Sequence, residues 1–234
     1  MKKPFKILFY EDGDPIDPRC IKRFVCAFPR GYKKVVRTII ENSERLDRKV
    51  FKCNVATVMI SFKMTRKGVF YGVRVDERGI VNDPENVIDT CWENVGGKLQ
   101  RLKRYIDENR SVERGRAVVN ISSNSRKHVV EKTSELFKKL LEVPLKNGKM
   151  SPVGASKILF ATLPEVALPV DTAEWKFVSG TNSYQTVLST MIDEIEAWEE
   201  ISTPIQLEAL DPYPKATLPG IYNVMAMVAR SLEE

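Results

Sequence analysis

The sequence predicts a mainly α-helical fold, and three observations support this prediction. Apolar residues recur every three or four positions over several long stretches, as expected for helices with one buried face. Acidic residues and prolines stand where such helices should begin. The clearest single face, expected to lie in the core, is formed by Tyr184, Leu188, Met191, Ile195 and Trp198. We therefore expect a helical bundle, and a chain of 234 residues can bury a core without disulfides or metals.

The first 80 residues are predicted to contain two helices and a small β element. Asp17 and Pro18 form an acidic cap followed by proline, so helices are expected over residues 19–28 and then 32–46. Residues 5–10, FKILFY, have the composition of a short strand. Residues 54–75 hold two β-branched runs around the turn sequence RKG. This favours an N-terminal β-hairpin, although a buried helix gives a similar apolar pattern.

From residue 81 onward the pattern is helical. Asp83 and Pro84 are expected to open a long helix that ends near residue 109, with a weak point at Gly96 and Gly97. Further helices are predicted over residues 124–142, 183–198 and 220–232. We interpret the chain as a basic N-terminal region, 1–80, of mixed α/β character, and a helical region, 81–234. The two regions could form one domain.

Charge is unevenly distributed along the chain. The first 150 residues hold 33 basic and 19 acidic residues, whereas the last 84 hold 4 basic and 12 acidic ones. Such asymmetry suggests a polyanionic partner for the first part, and attraction between the two parts is the alternative. No apolar run approaches the roughly 20 residues that span a bilayer, and we identify no signal peptide. We expect a cytoplasmic protein with no membrane partner.

Several kinds of active site are not indicated. The sequence has no phosphate-loop, dinucleotide-binding or serine-nucleophile motif. The four cysteines form no CxxC pair and the chain has one histidine, so we expect no metal site and no cofactor. The cysteines are expected to be reduced thiols in the core. His128, which follows two basic residues on a helix, is expected at the surface.

One stretch indicates a specific chemistry. GASKILFATLPEVALPVDTAEW, residues 154–175, passes from small residues through an apolar helical segment and two prolines to Asp171. An aspartate after a proline-containing turn and before a helical segment is an ordinary helix N-cap. A carboxylate in a cleft can also stabilise positive charge that develops on a sugar. Both roles remain open for Asp171.

Residues 151–180 resemble part of the helix-hairpin-helix DNA glycosylase superfamily, and ASKILFATLPEVALPVD is also similar to uncharacterised proteins of that fold. SPVGASKIL looks like the hairpin and the start of its second helix. LPVDT looks like the segment that carries the catalytic aspartate in endonuclease III-like members. The resemblance implies a helical bundle of that fold, DNA as the partner, a flipped base and Asp171 as the catalytic group.

The resemblance also implies which residues contact DNA. The hairpin would hold a phosphate near Gly154, Ser156 and Lys157, although a solvated helix lysine is the alternative for Lys157. Trp175 would stack on a base, and packing in the core is its alternative role. Basic residues of the first part of the chain would complete the cleft, namely Arg101, Lys103, Arg104, Arg126 and Lys127.

Two departures from the family pattern limit the implied chemistry. Bifunctional members have a lysine where this chain has Val153, and the hairpin has one glycine where the family has two. The resemblance therefore implies a DNA-binding protein related to base-excision glycosylases. If active, it would cleave an N-glycosidic bond without a Schiff-base lysine. The alternative is a non-enzymatic nucleic-acid-binding or protein-interaction module that retains only the fold.

Overall fold

The computed structural model describes residues 7–28, 30–42, 44–110, 114–171, 180, 183–211 and 217–231. Within these ranges the chain is mainly helical, as predicted, with one two-stranded antiparallel sheet. The helices are α1 (Pro18–Ala27), α2 (Arg30–Asn42), α3 (Arg48–Ser61), α4 (Val87–Asn109), α5 (Ala117–Asn120), α6 (Ser123–Leu141), α7 (Pro152–Thr162), α8 (Tyr184–Ile201) and α9 (Leu218–Ser231). Short 3₁₀ helices cover Met64–Arg66, Gly68–Phe70, Arg114–Arg116 and Leu207–Leu210. None of the described helices combines the length and the apolar character that crossing a bilayer requires.

Side-chain caps determine where the helices begin. The Asp17 carboxylate accepts a hydrogen bond from the Arg19 amide at 2.6 Å, and Pro18 occupies the first helical position, which confirms the predicted start of α1. Four other helices begin with the same kind of cap, formed by Asp47, Ser122, Ser151 and Ser183. Each cap pairs an amide that the first helical turn leaves without an internal acceptor.

Helix α7 is the central helix of the packing. All its residues from Gly154 to Thr162 are buried, and it packs against α3 and α6. Helix α3 also contacts α2 and α4, while α6 also contacts α4 and α8. The buried hydrophobic side chains form one cluster that draws on residues before and after position 80. The basic N-terminal region and the helical region therefore share a core.

The predicted β-hairpin is present, but it lies further along the chain than expected. Residues 54–61 belong to α3, because most of their apolar side chains are buried and a helix satisfies its own backbone there. The strands are β1 (Arg74–Val75) and β2 (Val81–Asn82). The Asp76 carboxylate closes the turn between them by accepting hydrogen bonds from the amides of residues 78 and 80 at 2.9 and 2.8 Å.

The start and the continuity of α4 differ from the prediction. The helix begins at Val87. Asp83 lies before the helix, and its carboxylate accepts a hydrogen bond of 2.7 Å from the Ile88 amide. The helix also continues through Gly96 and Gly97 without a break. A Cβ atom on Gly96 would lie 2.6 Å from the Trp92 ring, so glycine here lets the indole lie against the helix.

Three further predictions concern single segments and side chains. Residues 7–10 do not form a strand, although Phe9 makes an isolated bridge with Pro15. Residues 5 and 6 lie outside the described ranges. The predicted core face of α8 is confirmed, since all five of its side chains are buried. The cysteines are free thiols, and burial raises the pKa of Cys91 to about 12. Cys20 and Cys53 are half-buried and Cys26 is exposed, so of the four expected core thiols Cys91 alone is confirmed.

Candidate nucleic-acid interface

A groove of about 380 Å³ lies between α4 and α6. Its lining includes four cationic side chains, which are Lys98 and Arg101 of α4 and Lys132 and Lys139 of α6. Among the described residues that line it, Glu135 is the one acid. With the histidine neutral, the lining therefore carries three net positive charges. Its remaining residues are Leu102, Tyr105, His128 and Leu136.

Helical spacing explains why these residues meet. On α4 the lining positions are 98, 101, 102 and 105, and on α6 they are 128, 132, 135, 136 and 139. Residues three or four apart lie on the same helix face. Because α4 packs directly against α6, the two rows of side chains border one groove.

The cations of the groove are only partly compensated within the protein. Lys132 contacts both oxygens of the Glu135 carboxylate at 2.8 and 2.9 Å, and this hydrogen bond is the main reason why the pKa of Glu135 is lowered. Lys98 and Lys139 approach each other instead. The neighbouring Lys139 ammonium group lowers the pKa of Lys98, because two like charges close together disfavour the charged form. An anion between these two ammonium groups would relieve their repulsion.

An aromatic pair stands beside the cations. The rings of Tyr105 and His128 lie 4.6 Å apart between centroids, with an angle of 48° between their planes. His128 is exposed, as predicted, and Tyr105 is half-buried. Cationic grooves with neighbouring aromatic rings are typical of surfaces that bind a nucleic-acid backbone and its bases.

Four of the basic residues predicted to bind nucleic acid lie at or near the surface. Arg101 lines the groove. Arg104 and Lys127 are exposed on α4 and α6, outside the groove lining. Arg126 is half-buried because its guanidinium contacts Glu196 of α8 at 2.7 Å and donates to a backbone carbonyl at 3.1 Å. Arg126 therefore joins α6 to α8.

Lys103, the fifth of these residues, does not reach the surface. Its ammonium group lies 2.5 Å from Asp107 and 3.3 Å from Glu165, and only 6% of its side chain is exposed. The fully buried Glu165 carboxylate also binds Arg114 at 3.1 Å. Arg114 donates in turn to the carbonyl oxygen of Ile40 at 2.8 Å. Lys103 thus belongs to an internal ion network, and we remove it from the candidate interface.

The three α7 residues predicted to hold a phosphate are also buried. The Gly154 amide donates to the Ser151 hydroxyl at 3.1 Å, so the N-cap already satisfies it. A Cβ atom on Gly154 would lie 3.1 Å from the Phe70 ring and 2.8 Å from a methionine sulfur, so this glycine serves close packing. The Ser156 hydroxyl accepts the amide of Val170 at 3.0 Å. Residues 142–151 form a ten-residue connection between α6 and α7, in which an isolated antiparallel bridge pairs Leu145 with Gly148.

Lys157 is neither a solvated lysine nor a surface cation. It is 4% exposed, and its ammonium group lies 4.4 Å from the centroid of the Phe62 ring and 3.9 Å from the sulfur of Met64. A cation over an aromatic face is stabilised by the ring quadrupole. The sequence alone does not show whether Lys157 is exposed or buried, because the residues that it contacts lie about 95 positions earlier in the chain.

Asp171 is exposed at the end of a firmly held segment. The hydroxyl of Tyr184 accepts the amide of Leu168 at 3.2 Å and donates to its carbonyl oxygen at 3.1 Å. Ser156 binds the amide of Val170 in the same way, so residues 168–170 are fixed against α7 and α8. Burial raises the pKa of the Tyr184 hydroxyl, which keeps it a neutral donor. Trp175 and the helix that Asp171 would cap lie outside the described residues.

The groove and the segment before Asp171 lie on different sides of α6. The Tyr184 ring stacks on Phe137 of α6 with 4.4 Å between centroids. At about 100° per residue, Phe137 points about 140° away from Lys132 and about 180° away from His128. Arg101 and residues 168–170 therefore do not border one cleft.

One of the four groove cations, Arg101, was predicted from the sequence. The signal for the other three is helical spacing, because Lys98 lies three positions before Arg101 and Lys132 lies seven positions before Lys139. This signal was not decisive, because the sequence does not show that α4 and α6 are neighbours.

Among the described residues, no cluster of three or more side chains suited to bind a metal ion occurs. No protein family, curated protein or solved structure matches the chain.

Proposed function

We propose that the protein binds nucleic acid and that the groove between α4 and α6 contacts the phosphate backbone. The observation that carries this proposal is the groove lining, in which, among the described residues, Lys98 and Lys139 are two of four cationic side chains that share the groove with one acid, Glu135. A phosphate placed between these two lysines would be bound by both ammonium groups. Phosphate contacts of this kind supply most of the affinity of nucleic-acid-binding proteins and do not depend on base sequence.

The remaining groove residues fit the same partner. Arg101 presents a planar guanidinium that suits bidentate contact with a second phosphate. The ring pair of Tyr105 and His128 offers an aromatic surface for a sugar or base. The excess of basic over acidic residues in the first 150 positions adds a longer-range attraction for a polyanion.

Charge reversal in the groove tests this proposal. We expect the double variant Lys98→Glu/Lys139→Glu to bind a fluorescent DNA duplex at least about tenfold more weakly at low salt, because two phosphate contacts become repulsive. The matched control is Lys22→Glu/Lys34→Glu, which reverses two exposed lysines on α1 and α2, outside the groove lining. Equal affinities of the two double variants in fluorescence anisotropy would refute the role of the groove.

A second candidate function is cleavage of an N-glycosidic bond by Asp171. The observation in its favour is the placement of the carboxylate, which is exposed directly after residues that two buried hydroxyl groups hold in place. A carboxylate fixed before the reaction can stabilise a cationic sugar without reorganisation. Because Val153 stands at the family's lysine position and Lys157 is buried, this activity would proceed without a Schiff base.

A strand-break assay tests the second candidate. Duplexes with uracil, 8-oxoguanine, alkylated purines or an abasic site are incubated with the protein and then heated in alkali. If Asp171 is catalytic, Asp171→Asn should lower the cleavage rate by about 10²–10³ and leave DNA binding unchanged. Asp193→Asn, at an exposed position on α8, is the control. Equal rates for the two variants would contradict catalysis by Asp171, and breaks before alkali would contradict the Schiff-base-free mechanism.

A further inference from the structure

The β-hairpin and the segment before it expose an unusual concentration of large apolar side chains. Tyr71 is 66% exposed, Ile80 is 60% exposed and Val75 is 39% exposed. These are three of the seven large hydrophobic side chains that are exposed among the described residues, and they fall within ten positions. Single exposed apolar residues are common, whereas a cluster of them indicates a surface that contacts a partner.

This region is held in a defined shape. The strand pairs place Arg74 opposite Asn82 and Val75 opposite Val81. The amide of Tyr71 donates to the carbonyl oxygen of Gly68 at 3.0 Å. The residues at positions 70 and 73 are buried on either side of Tyr71 and anchor it to the core. Because the backbone is already held in place, a partner that binds the Tyr71 ring pays little conformational entropy beyond that of this one side chain.

Exposed cations stand close to the apolar residues along the chain. Between positions 63 and 78 they are Lys63, Arg66, Lys67, Arg74 and Arg78. The connection between α6 and α7 adds Lys146 and Lys149, and it packs against this region, since a Cβ atom on Gly148 would lie 3.5 Å from Val69. In the described part of the chain, none of these seven cations forms a salt bridge.

The acids within residues 63–80 compensate little of this charge. The Asp76 carboxylate is occupied by the amides of the hairpin turn. Glu77 is the other acidic residue between positions 63 and 80. We call the exposed side chains of residues 63–80, together with Lys146 and Lys149, the hairpin surface. Its charge fits a polyanion, and its exposed tyrosine ring fits a planar group.

We infer that the hairpin surface is a second nucleic-acid-binding site, which stacks an unpaired base on Tyr71 while its cations contact the flanking phosphates. This inference rests on the proposed function but uses residues separate from the groove. A base inside a duplex has both faces covered by its neighbours, so a protruding ring can stack only on a base that is unpaired or at a strand end. A lipid bilayer fits less well, because charged residues separate the three apolar ones along residues 71–80.

The test compares single-stranded and duplex DNA of the same length. The single strand carries 2-aminopurine, whose fluorescence falls when a ring stacks on it. We expect Tyr71→Ala to weaken single-strand binding at least about fivefold and to abolish the fluorescence change, while duplex affinity changes less than about twofold. Tyr71→Phe should behave like the wild type. The matched control is Tyr10→Ala, which removes another exposed tyrosine, 49% exposed, outside the hairpin surface.

Each other outcome contradicts a distinct claim. If the wild type binds neither form of DNA at low salt, both the proposed function and this inference fail. If the wild type binds DNA and Tyr71→Ala matches it on both forms, the inference alone fails. An equal loss on single strand and duplex would contradict base stacking. Loss of binding to vesicles with anionic lipid, with DNA affinity unchanged, would assign the hairpin surface to a membrane instead.

Discussion

Replacing Glu165 with alanine is expected to lower the free energy of unfolding by about 3–5 kcal/mol. The carboxylate is fully buried and binds Lys103 at 3.3 Å and Arg114 at 3.1 Å, both of which are themselves largely buried. Without it, two cations would remain inside the protein with less compensation. Removing one partner from a buried ion pair is costly for this reason, even where the intact pair adds little stability.

Urea unfolding measures this effect against a surface control. Glu93→Ala removes a carboxylate whose contact with Arg48 is 3.4 Å long and more than half exposed, so its cost should be about 0–1 kcal/mol. Glu165→Gln keeps the shape and one acceptor oxygen but loses the charge, and its cost should fall between the two. Equal midpoints for Glu165→Ala and Glu93→Ala would contradict the buried network.

Replacing Trp198 with alanine should cost a similar amount, about 3–5 kcal/mol. The indole is completely buried on α8, so alanine would leave a large cavity in the core. Its ring N–H also donates to the carbonyl oxygen of Ile16 at 2.9 Å and holds the chain before α1 against α8. One turn earlier, the Glu194 carboxylate accepts the amide of Ile7 at 2.9 Å.

A smaller substitution separates the two contributions of Trp198. Trp198→Phe retains most of the apolar area but leaves the Ile16 carbonyl without its indole donor, which should cost about 1–3 kcal/mol. Ile201→Ala changes an exposed side chain at the end of the same helix and should stay within about 0.5 kcal/mol. Calorimetry that shows no difference between Trp198→Ala and Ile201→Ala would contradict the packing of α8.

The helices of the second half of the chain were predictable because their apolar faces are regular. Residues 124–142 and 183–198 were predicted as helices and are observed as Ser123–Leu141 and Tyr184–Ile201. A stripe that repeats over four turns is a strong signal. Helix α3 lacks such a stripe, because most of its residues between positions 51 and 59 are buried. Its β-branched run therefore indicated strands by composition alone.

The environments of single lysines were not predictable. Lys103 and Lys157 both lie on helices, and their neighbours in the sequence do not distinguish them from exposed lysines. Their burial depends on Glu165 and on the Phe62 ring, which tertiary packing brings close. Long-range pairing of this kind leaves no mark in a local sequence pattern.

The glycosylase resemblance depended on local features that serve packing and capping in the folded protein. Gly154 is a packing glycine at the start of a capped helix, and Ser156 holds the segment at Val170. The resemblance itself stays a prediction, and its catalytic candidate, Asp171, is exposed after that segment. The groove lies between two helices that were predicted separately. Their basic residues were therefore evident from the sequence, but the contact between the two helices was not.

The most direct test of nucleic-acid binding by the groove is the salt dependence of DNA affinity for the wild type and for Lys98→Ala/Lys139→Ala. Each phosphate contact contributes about 0.9 to the slope of log affinity against log salt concentration. We predict that the double variant reduces the magnitude of this slope by about 1.8, which is two contacts. Identical slopes for the two proteins would contradict the claim that these lysines contact phosphate.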